Sequence, residues 1–169
     1  MGIDRRHTIA MRSLATYMNV PIITITDTAP FHLRIMSDAM QENSAKMAQR
    51  VGYSPLKALW ANYRQSLICK SVFINGNLCA IFGVVGMMLG ESGAPWIALT
   101  PEVEQYPMRV AFRFKKELEE MLKLFPVLED YIEEENTAAI RFMSLMGFRV
   151  SKNITTMAGI NFRRAERRG

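Results

Sequence analysis

The side chains that most often carry chemistry are scarce in this sequence. It contains two histidines, His7 and His32, and two cysteines, Cys69 and Cys79. So few histidines argue against a histidine-based metal site and against a serine–histidine–aspartate triad. The cysteines lie ten residues apart without the spacing of a zinc or redox motif, so we predict two reduced thiols and no metal. His32 falls on a predicted helix, where a packed or surface histidine is commoner than a catalytic base.

Two runs of residues could also hold a ligand or a base. Glu133, Glu134 and Glu135 follow one another at the end of a predicted strand. They could bind a basic substrate, although such runs are more often solvated. The stretch 86–93 contains three glycines but no lysine at P-loop spacing, so we interpret it as a hairpin loop rather than a phosphate cradle.

Strands that could position such residues are predicted from short β-branched and apolar runs. Asn75-Gly76-Asn77 predicts a tight turn between two of them. The apolar run over 78–85 predicts a central strand, and Gly83 within it predicts a close approach of another element. Strands are predicted over 20–26, 70–74, 78–85, 95–100, 127–132, 148–151 and about 155–163.

Helices are predicted where the apolar period lengthens to 3.6 residues. Asp27 and Thr28 are predicted to cap the first helix. Pro55 and Pro107 are predicted to begin two later helices, and Gly147 is predicted to end the last helix. The helices cover about 31–51, 55–67, 107–125 and 136–146. The element order is β-α-α-β-β-β-α-β-α-β-β, which predicts an α/β domain with a mixed, mostly antiparallel sheet and helices on both faces.

Length and composition indicate one globular domain. The chain has 169 residues, of which 49% are hydrophobic and 22% charged, which excludes a disordered chain, a collagen and a disulfide scaffold. The longest apolar run, over 78–89, is shorter than the ~20 residues of a membrane helix, and the charged start over 1–7 predicts no signal peptide. We predict an N-terminal extension over 1–19, a domain over 20–163 and a basic tail over 164–169.

Positive charge is concentrated at the C-terminal end. The net charge is +5, while the segment 115–135 holds three lysines against eight acids, so the rest carries +10. Four arginines could bind a phosphate backbone or an acidic surface: Arg163, Arg164, Arg167 and Arg168. The alternative is that they form a solvated tail. No RNA-binding aromatic signature accompanies them, so nucleic acid is not an expected partner.

The segment 135–148 carries the most specific pattern, with Asn136, Ala139, Phe142 and the pair Gly147-Phe148. It resembles the signature of the GCN5-related N-acetyltransferase (GNAT) fold. More narrowly, the chain is similar to a bacteriophage subgroup of that fold, related to a small internal virion protein of podoviruses, through the segments 54–59, 80–85 and 93–97. The resemblance covers about 20–162.

The resemblance implies that acetyl-CoA or another acyl-CoA lies between the fourth and fifth strands. The residues implied to contact it are Leu99, Thr100, Met108, Arg109, Val110 and Asn136, the first two through the strand backbone and the next three through helix amides. Asn136 could instead be simply a helix cap, and the two roles can coexist. No catalytic side chain is identified.

Two departures from the family pattern put this cofactor in question. The stretch 100–110 lacks the glycines of the family's phosphate loop and carries Glu102 and Glu104, which would repel a pyrophosphate. Arg109 could compensate, unless one of these carboxylates pairs with it and closes the site. Met143 stands where many members carry a proton-donating tyrosine, and a thioether cannot donate a proton.

Two functions are therefore predicted. The first is an acyl-CoA-dependent N-acyltransferase whose acceptor is a small-molecule or protein amine. The second is a non-catalytic GNAT-fold phage protein that acts in the virion, in its assembly or on a host protein. Either would act in the host cytoplasm or the virion, with no membrane partner.

Overall fold

A seven-stranded sheet forms the centre of the computed structural model, which describes residues 20–50, 52–87 and 91–169. The strands are β1 (Ile23–Asp27), β2 (Ser66–Ile74), β3 (Asn77–Gly86), β4 (Ser92–Leu99), β5 (Val127–Glu133), β6 (Arg149–Met157) and β7 (Ile160–Arg168). Their spatial order is β1-β2-β3-β4-β5-β7-β6. Neighbours are antiparallel except β4 and β5, which run parallel. The predicted mixed, mostly antiparallel α/β domain is confirmed.

Helices cover both faces of the sheet. They are α1 (Pro30–Ala39), α2 (Glu42–Arg50), α3 (Pro55–Gln65), α4 (Pro107–Leu124) and α5 (Thr137–Leu145). Proline occupies the first turn of α1, α3 and α4, where its missing N–H leaves no helical hydrogen bond unmade. A short 3₁₀ helix, Pro101–Gln105, connects β4 to α4.

The apolar side chains of the sheet alternate between two helix layers. Those on one face pack against α4 and α5, with Phe82 and Leu128 of the sheet meeting Phe114, Leu118 and Met143. Those on the other face pack against α1 and α3, with Ile81 and Ala98 meeting Leu33 and Leu59. A gap between two neighbouring strands of this sheet would therefore be bordered by helices on both faces.

The strand predicted over 78–85 is the central part of β3, which is hydrogen-bonded on both sides. The close approach predicted at Gly83 is also confirmed. A Cβ added there would lie 2.6 Å from the Ile68 carbonyl oxygen, 2.8 Å from Trp96 Nε1 and 2.9 Å from Ser66 Oγ. Only a residue without a side chain fits this position.

The helix predicted over 31–51 is divided in two, because the chain turns at Met40 and Gln41. Met40 has an extended ψ of 154°. The Gln41 N–H donates to the Leu99 carbonyl oxygen at 2.8 Å. This bond ties the α1–α2 connection to the end of β4, and helical periodicity alone carries no sign of it.

The residues predicted to cap the first helix have other partners. Asp27 ends β1 and accepts a hydrogen bond from the Lys70 ammonium at 2.7 Å. The buried Thr28 hydroxyl lies 2.9 Å from that of Ser71. Ala29 is the N-cap instead, so the predicted capping by Asp27 and Thr28 is wrong.

The stretch predicted as a free basic tail, 164–169, lies almost entirely in β7, which pairs with β5 and β6. Arg164 contacts Glu129 of β5 at 2.5 Å and Glu166 of its own strand at 3.0 Å. The tail prediction is therefore corrected: this basic sequence is a strand paired on both sides, and carboxylates such as Glu129 offset its positive charge. The extension predicted over 1–19 lies outside the described residues.

Both cysteines are free, as predicted. Cys69 lies opposite Gly83 in the β2–β3 register, so Cys79 is four residues, or about 13 Å, further along the neighbouring strand. That separation is too long for a disulfide. Burial raises the pKa of both thiols, that of Cys79 to about 11, which makes them weak nucleophiles at neutral pH.

Within the described ranges, no helix has the length and apolar character needed to cross a membrane. The same ranges contain no group of three or more histidine, cysteine, aspartate or glutamate side chains that could hold a metal ion. The candidate site lies instead where the sheet opens.

Candidate active site

The sheet opens between β4 and β5. These strands pair only through Ser92 with Val127 and Gly93 with Leu128. Alternation along β4 makes Pro95 the next residue whose backbone faces β5, and proline has no N–H to donate to a neighbouring strand. Pro95 therefore explains why the ladder stops after two residue pairs. The opening beyond it is called the β4–β5 gap.

Backbone donors of β4 face this gap. The Thr100 N–H donates to the Cys79 carbonyl oxygen on β3 at 2.9 Å. Because successive residues of a strand direct their backbone groups to opposite sides, the N–H groups of Ile97 and Leu99 point towards β5. Of the two predicted strand residues, Leu99 presents its amide to the gap, while Thr100 uses its amide within the sheet.

A cavity of about 460 Å³ adjoins the gap and reaches both helix layers. Met40 and Leu59 line it from the side of α1 and α3, and Phe114 and Met143 line it from the side of α4 and α5. Most of its lining is apolar. A cavity of this size and character suits a small organic ligand.

One carboxylate, that of Asp130, lies in this lining. On β5 it is flanked by Leu128 and Ile132, which both point into the core beneath α4 and α5, and it pairs with the fully buried Ala165 of β7. Its Oδ1 accepts the Tyr131 N–H at 2.8 Å. Burial raises the pKa of Asp130 to about 6. In the described part of the chain, no cation forms an ion pair with it.

The first turn of α4 offers unpaired amides. The helix begins at Pro107, and its N-cap residue, Tyr106, makes no side-chain capping bond. The amides of Met108 and Arg109 therefore have no acceptor within the helix. The Val110 N–H donates to the Tyr106 carbonyl oxygen at 3.1 Å. Two of the three helix amides implied by the resemblance are thus available to an anion, and that of Val110 is not.

The carboxylates near the start of α4 have partners other than Arg109. Glu102 accepts from the Asn77 amide at 3.4 Å, and Glu104 accepts from the Gln41 amide at 3.3 Å. Among the described residues, no ion pair includes Arg109, whose side chain is exposed. The arrangement in which Glu102 or Glu104 would occupy that guanidinium is therefore not observed.

Asn136, just before α5, and Met143, within it, line the same cavity. Asn136 is the N-cap of the helix, and its Oδ1 accepts the Ala139 N–H at 3.0 Å, as the cap interpretation predicts. Met143 is buried, and its thioether cannot donate a proton. The helix therefore presents a polar cap to the cavity but no acid at Met143.

Two other candidates lie outside the cavity lining. Glu134 pairs with Arg163 at 2.8 Å, which gives this member of the acidic run a structural partner. His32 is buried, with its Nδ1 2.9 Å from Ser71 Oγ and 3.1 Å from the Ala29 N–H that donates to it. Burial lowers the pKa of His32. These contacts support the packed-histidine interpretation.

Sequence reasoning missed Asp130. The signal was present in the alternation of β5, because Leu128 and Ile132 identify the inward positions and Asp130 falls between them. An acid at an inward position of a strand is uncommon enough to mark a candidate site.

Comparison with known proteins gives matches in three-dimensional structure and none in sequence. No protein-family model matches the chain, and no curated protein matches it in sequence. A GNAT-family acetyltransferase from Streptococcus pneumoniae superposes with a TM-score of 0.62 at 10% identity, covering 87% of this chain and 99% of its own. The chain has the GNAT acetyltransferase fold.

Two further GNAT-fold structures carry information about ligands. A protein from Salmonella typhimurium, assigned as an acetyltransferase and solved with its cofactor acetyl-CoA, has a TM-score of 0.61 at 12% identity, covering 86% of this chain and 93% of its own. A variant of the spermidine N-acetyltransferase from Vibrio cholerae has a TM-score of 0.64 at 14% identity, with the same coverage. Identities this low establish the fold and transfer no residue role.

Proposed function

We propose that this protein is an acyl-CoA-dependent N-acyltransferase that acts on an amine. The observation that carries the proposal is the β4–β5 gap, where the Ile97 and Leu99 amides face a cavity that also contains the Asp130 carboxylate. Backbone donors in such a gap can bind an extended chain and polarise a carbonyl group. GNAT-fold structures solved with acetyl-CoA or named for spermidine N-acetylation give further support.

Acetyl-CoA, or another acyl-CoA, fits the donors that this chain presents. When bound, it supplies the acyl group as a thioester. The Ile97 amide would hold its amide-containing arm, and the Leu99 N–H would polarise the acyl carbonyl. The Met108 and Arg109 amides, with the Arg109 guanidinium, would bind phosphate in place of a glycine loop, because a helix N-terminus attracts anions.

The remaining contribution of the chain is to bind and orient the amine. Met143 supplies no proton, so the sulfur would leave as the thiolate or take a proton from water, and the nitrogen would release one proton to water as the amide forms. Holding an amine beside an acyl group at the gap would by itself accelerate transfer, since proximity and orientation lower the barrier to a bimolecular reaction.

Acetyl-CoA is expected to stabilise the native protein. A ligand that binds only the folded state adds about 2.7 kcal/mol at 100 times its Kd, which is an easily visible rise in melting temperature. The measurement is a thermal-shift titration with acetyl-CoA and with free CoA. Absence of any shift at millimolar concentrations of both would contradict the proposed enzyme.

The substitution Arg109→Ala is expected to weaken acetyl-CoA binding by roughly 10- to 150-fold, the value of one charge-assisted hydrogen bond to phosphate. Arg113→Ala is the matched control, because Arg113 lies one turn further along α4 and contacts Glu117 at 3.7 Å. Calorimetric titration of both variants measures the difference. Equal affinities in the two variants would remove Arg109 from the phosphate site.

One observation favours a second function. The stretch 100–110 has no glycine and carries Glu102 and Glu104 ahead of α4, which disfavours a tightly bound pyrophosphate. The alternative that we propose is therefore a non-catalytic phage protein that keeps the GNAT scaffold for a role in the virion or its assembly, or for binding a host protein. Its phage origin rests on the sequence resemblance. Detection of the protein in purified particles, together with a negative acetyl-CoA titration, would favour this alternative.

The two functions imply different partners and locations. The enzyme would meet a small-molecule or protein amine in the host cytoplasm, whereas the alternative would meet a phage or host protein, in part within the virion. The arginines of β7 give no support to a nucleic-acid partner, because Arg163 and Arg164 contact Glu134 and Glu129.

A further inference from the structure

We infer that the acceptor is a small monoamine with an apolar body, and that the Asp130 carboxylate binds its ammonium group. The inference rests on the proposed N-acyltransferase function and extends it, by naming the class of acceptor and the residue that selects it. It is carried by the charge and the shape of the cavity beside the β4–β5 gap.

The charge of the cavity requires one cation. Among the lining residues that the structure describes, Asp130 is the only charged one. It accepts a single described hydrogen bond, from the Tyr131 N–H, and even a half-buried carboxylate without a cation loses hydration at a cost in free energy. One ammonium group would satisfy it. For acyl transfer that ammonium would first give one proton to Asp130 or to water, because only the neutral amine has the lone pair that attacks a thioester. A polyamine would bring further charges against an apolar lining that offers them no partner.

The shape of the cavity requires an apolar body. Trp96, Phe114 and Phe142 contribute aromatic surface to the lining, and the indole N–H of Trp96 already donates to Ser66 Oγ at 2.8 Å. The volume of about 460 Å³ lies in the range of sites that enclose whole small molecules. A lysine side chain from a protein would fill only part of it.

The surroundings of Asp130 leave its charge uncompensated. The cavity residues on α4 and α5 are uncharged, and its partner on β7 is Ala165. The next residues of β7 on the same face, Arg163 and Arg167, form ion pairs with Glu134 and Glu119 instead. The charged neighbours Glu129, Arg164 and Glu166 lie on the opposite face of the sheet by strand alternation, where they contact one another. Ammonium binding therefore depends on the ionised state of Asp130 itself.

The test uses 2-phenylethylamine as the probe and 2-phenylethanol as its uncharged counterpart. Calorimetry without CoA is expected to give tighter binding of the amine, with an affinity that rises with pH through about 6. Asp130→Asn is expected to weaken amine binding by roughly 10- to 150-fold while leaving the alcohol unchanged. Glu129→Gln, the matched control on the opposite face, is expected to leave both unchanged.

Further binding measurements distinguish this inference from other acceptors and from a cofactor role for Asp130. Tighter binding of spermidine, or of a lysine-containing peptide, than of 2-phenylethylamine would overturn it. So would equal amine affinity in the wild type and Asp130→Asn, or a loss confined to acetyl-CoA affinity, which would make Asp130 a cofactor contact. If the wild type binds the amine through Asp130 but does not bind acetyl-CoA, the acceptor site stands and the proposed transferase fails.

Discussion

Replacing Gly83 with alanine is expected to lower the free energy of unfolding by about 2–5 kcal/mol. The added Cβ would lie 2.6 Å from the Ile68 carbonyl oxygen and 2.8 Å from Trp96 Nε1. The backbone of β2 cannot yield without disturbing its pairing with β3. The indole cannot yield without losing its 2.8 Å bond to Ser66. Urea denaturation at neutral pH, followed by circular dichroism, measures the loss.

Gly86→Ala is the matched control, since Gly86 ends the same strand. A Cβ there would meet only the ring edge of Phe125, at 3.3 Å, and a side chain can move by that amount. We expect a change below about 1 kcal/mol, in the range of tolerated packing changes. If the two variants lost equal stability, the effect would belong to strand propensity rather than to the close approach at Gly83.

Asp130→Asn is expected to stabilise the protein relative to the wild type as the pH rises. The pKa of Asp130 is raised by burial from 3.8 to about 6, so the folded protein keeps this proton where the unfolded chain has lost it. Its favourable contribution is complete below pH 3.8 and is lost as the pH rises through 6. The free energy of unfolding of Asp130→Asn minus that of the wild type should therefore grow by about 2 kcal/mol between pH 4.5 and 7.5.

Urea titrations of both proteins across this pH range provide the measurement. For Glu129→Gln, the difference in unfolding free energy from the wild type is expected to change with pH in the opposite direction. Hydrogen bonding to Arg164 lowers the pKa of Glu129, so its contribution is present at neutral pH and is lost as the pH falls. A flat difference for Asp130→Asn would mean that its carboxylate is solvated in the native state. That result would also remove the charge argument for an amine site.

Local backbone chemistry made much of the fold predictable. Asn75 and Gly76 have positive φ values of 52° and 88° in the predicted hairpin, and Gly147 has 86° after α5. Pro107 opens α4 as predicted. Each of these residues specifies the conformation of its own segment whatever lies across the sheet, so the sequence alone was sufficient.

The features that escaped prediction depend on contacts between distant segments. The division of the first helix depends on Gln41 reaching Leu99, and the C-terminal arginines join the sheet because carboxylates such as Glu129 face them across it. The candidate site was predicted in part. Leu99 and Arg109 have N–H groups that are not used within the sheet or helix, and their contact with a cofactor stays a prediction. The half-buried environment of Asp130 arises only when α4 and α5 close over β5.

The two-pair junction at Ser92 and Gly93 also makes the sheet mechanically uneven. Within the described residues, β5 pairs with β7 through seven residue pairs and β1 with β2 through five, whereas β4 and β5 share two. A separation along this seam breaks the fewest interstrand pairs of any cut through the sheet. The strands β1 to β4 and the strands β5 to β7 are therefore joined by the shortest backbone ladder of the sheet, and the apolar core that they share beneath α4 and α5 supplies most of the contact between them.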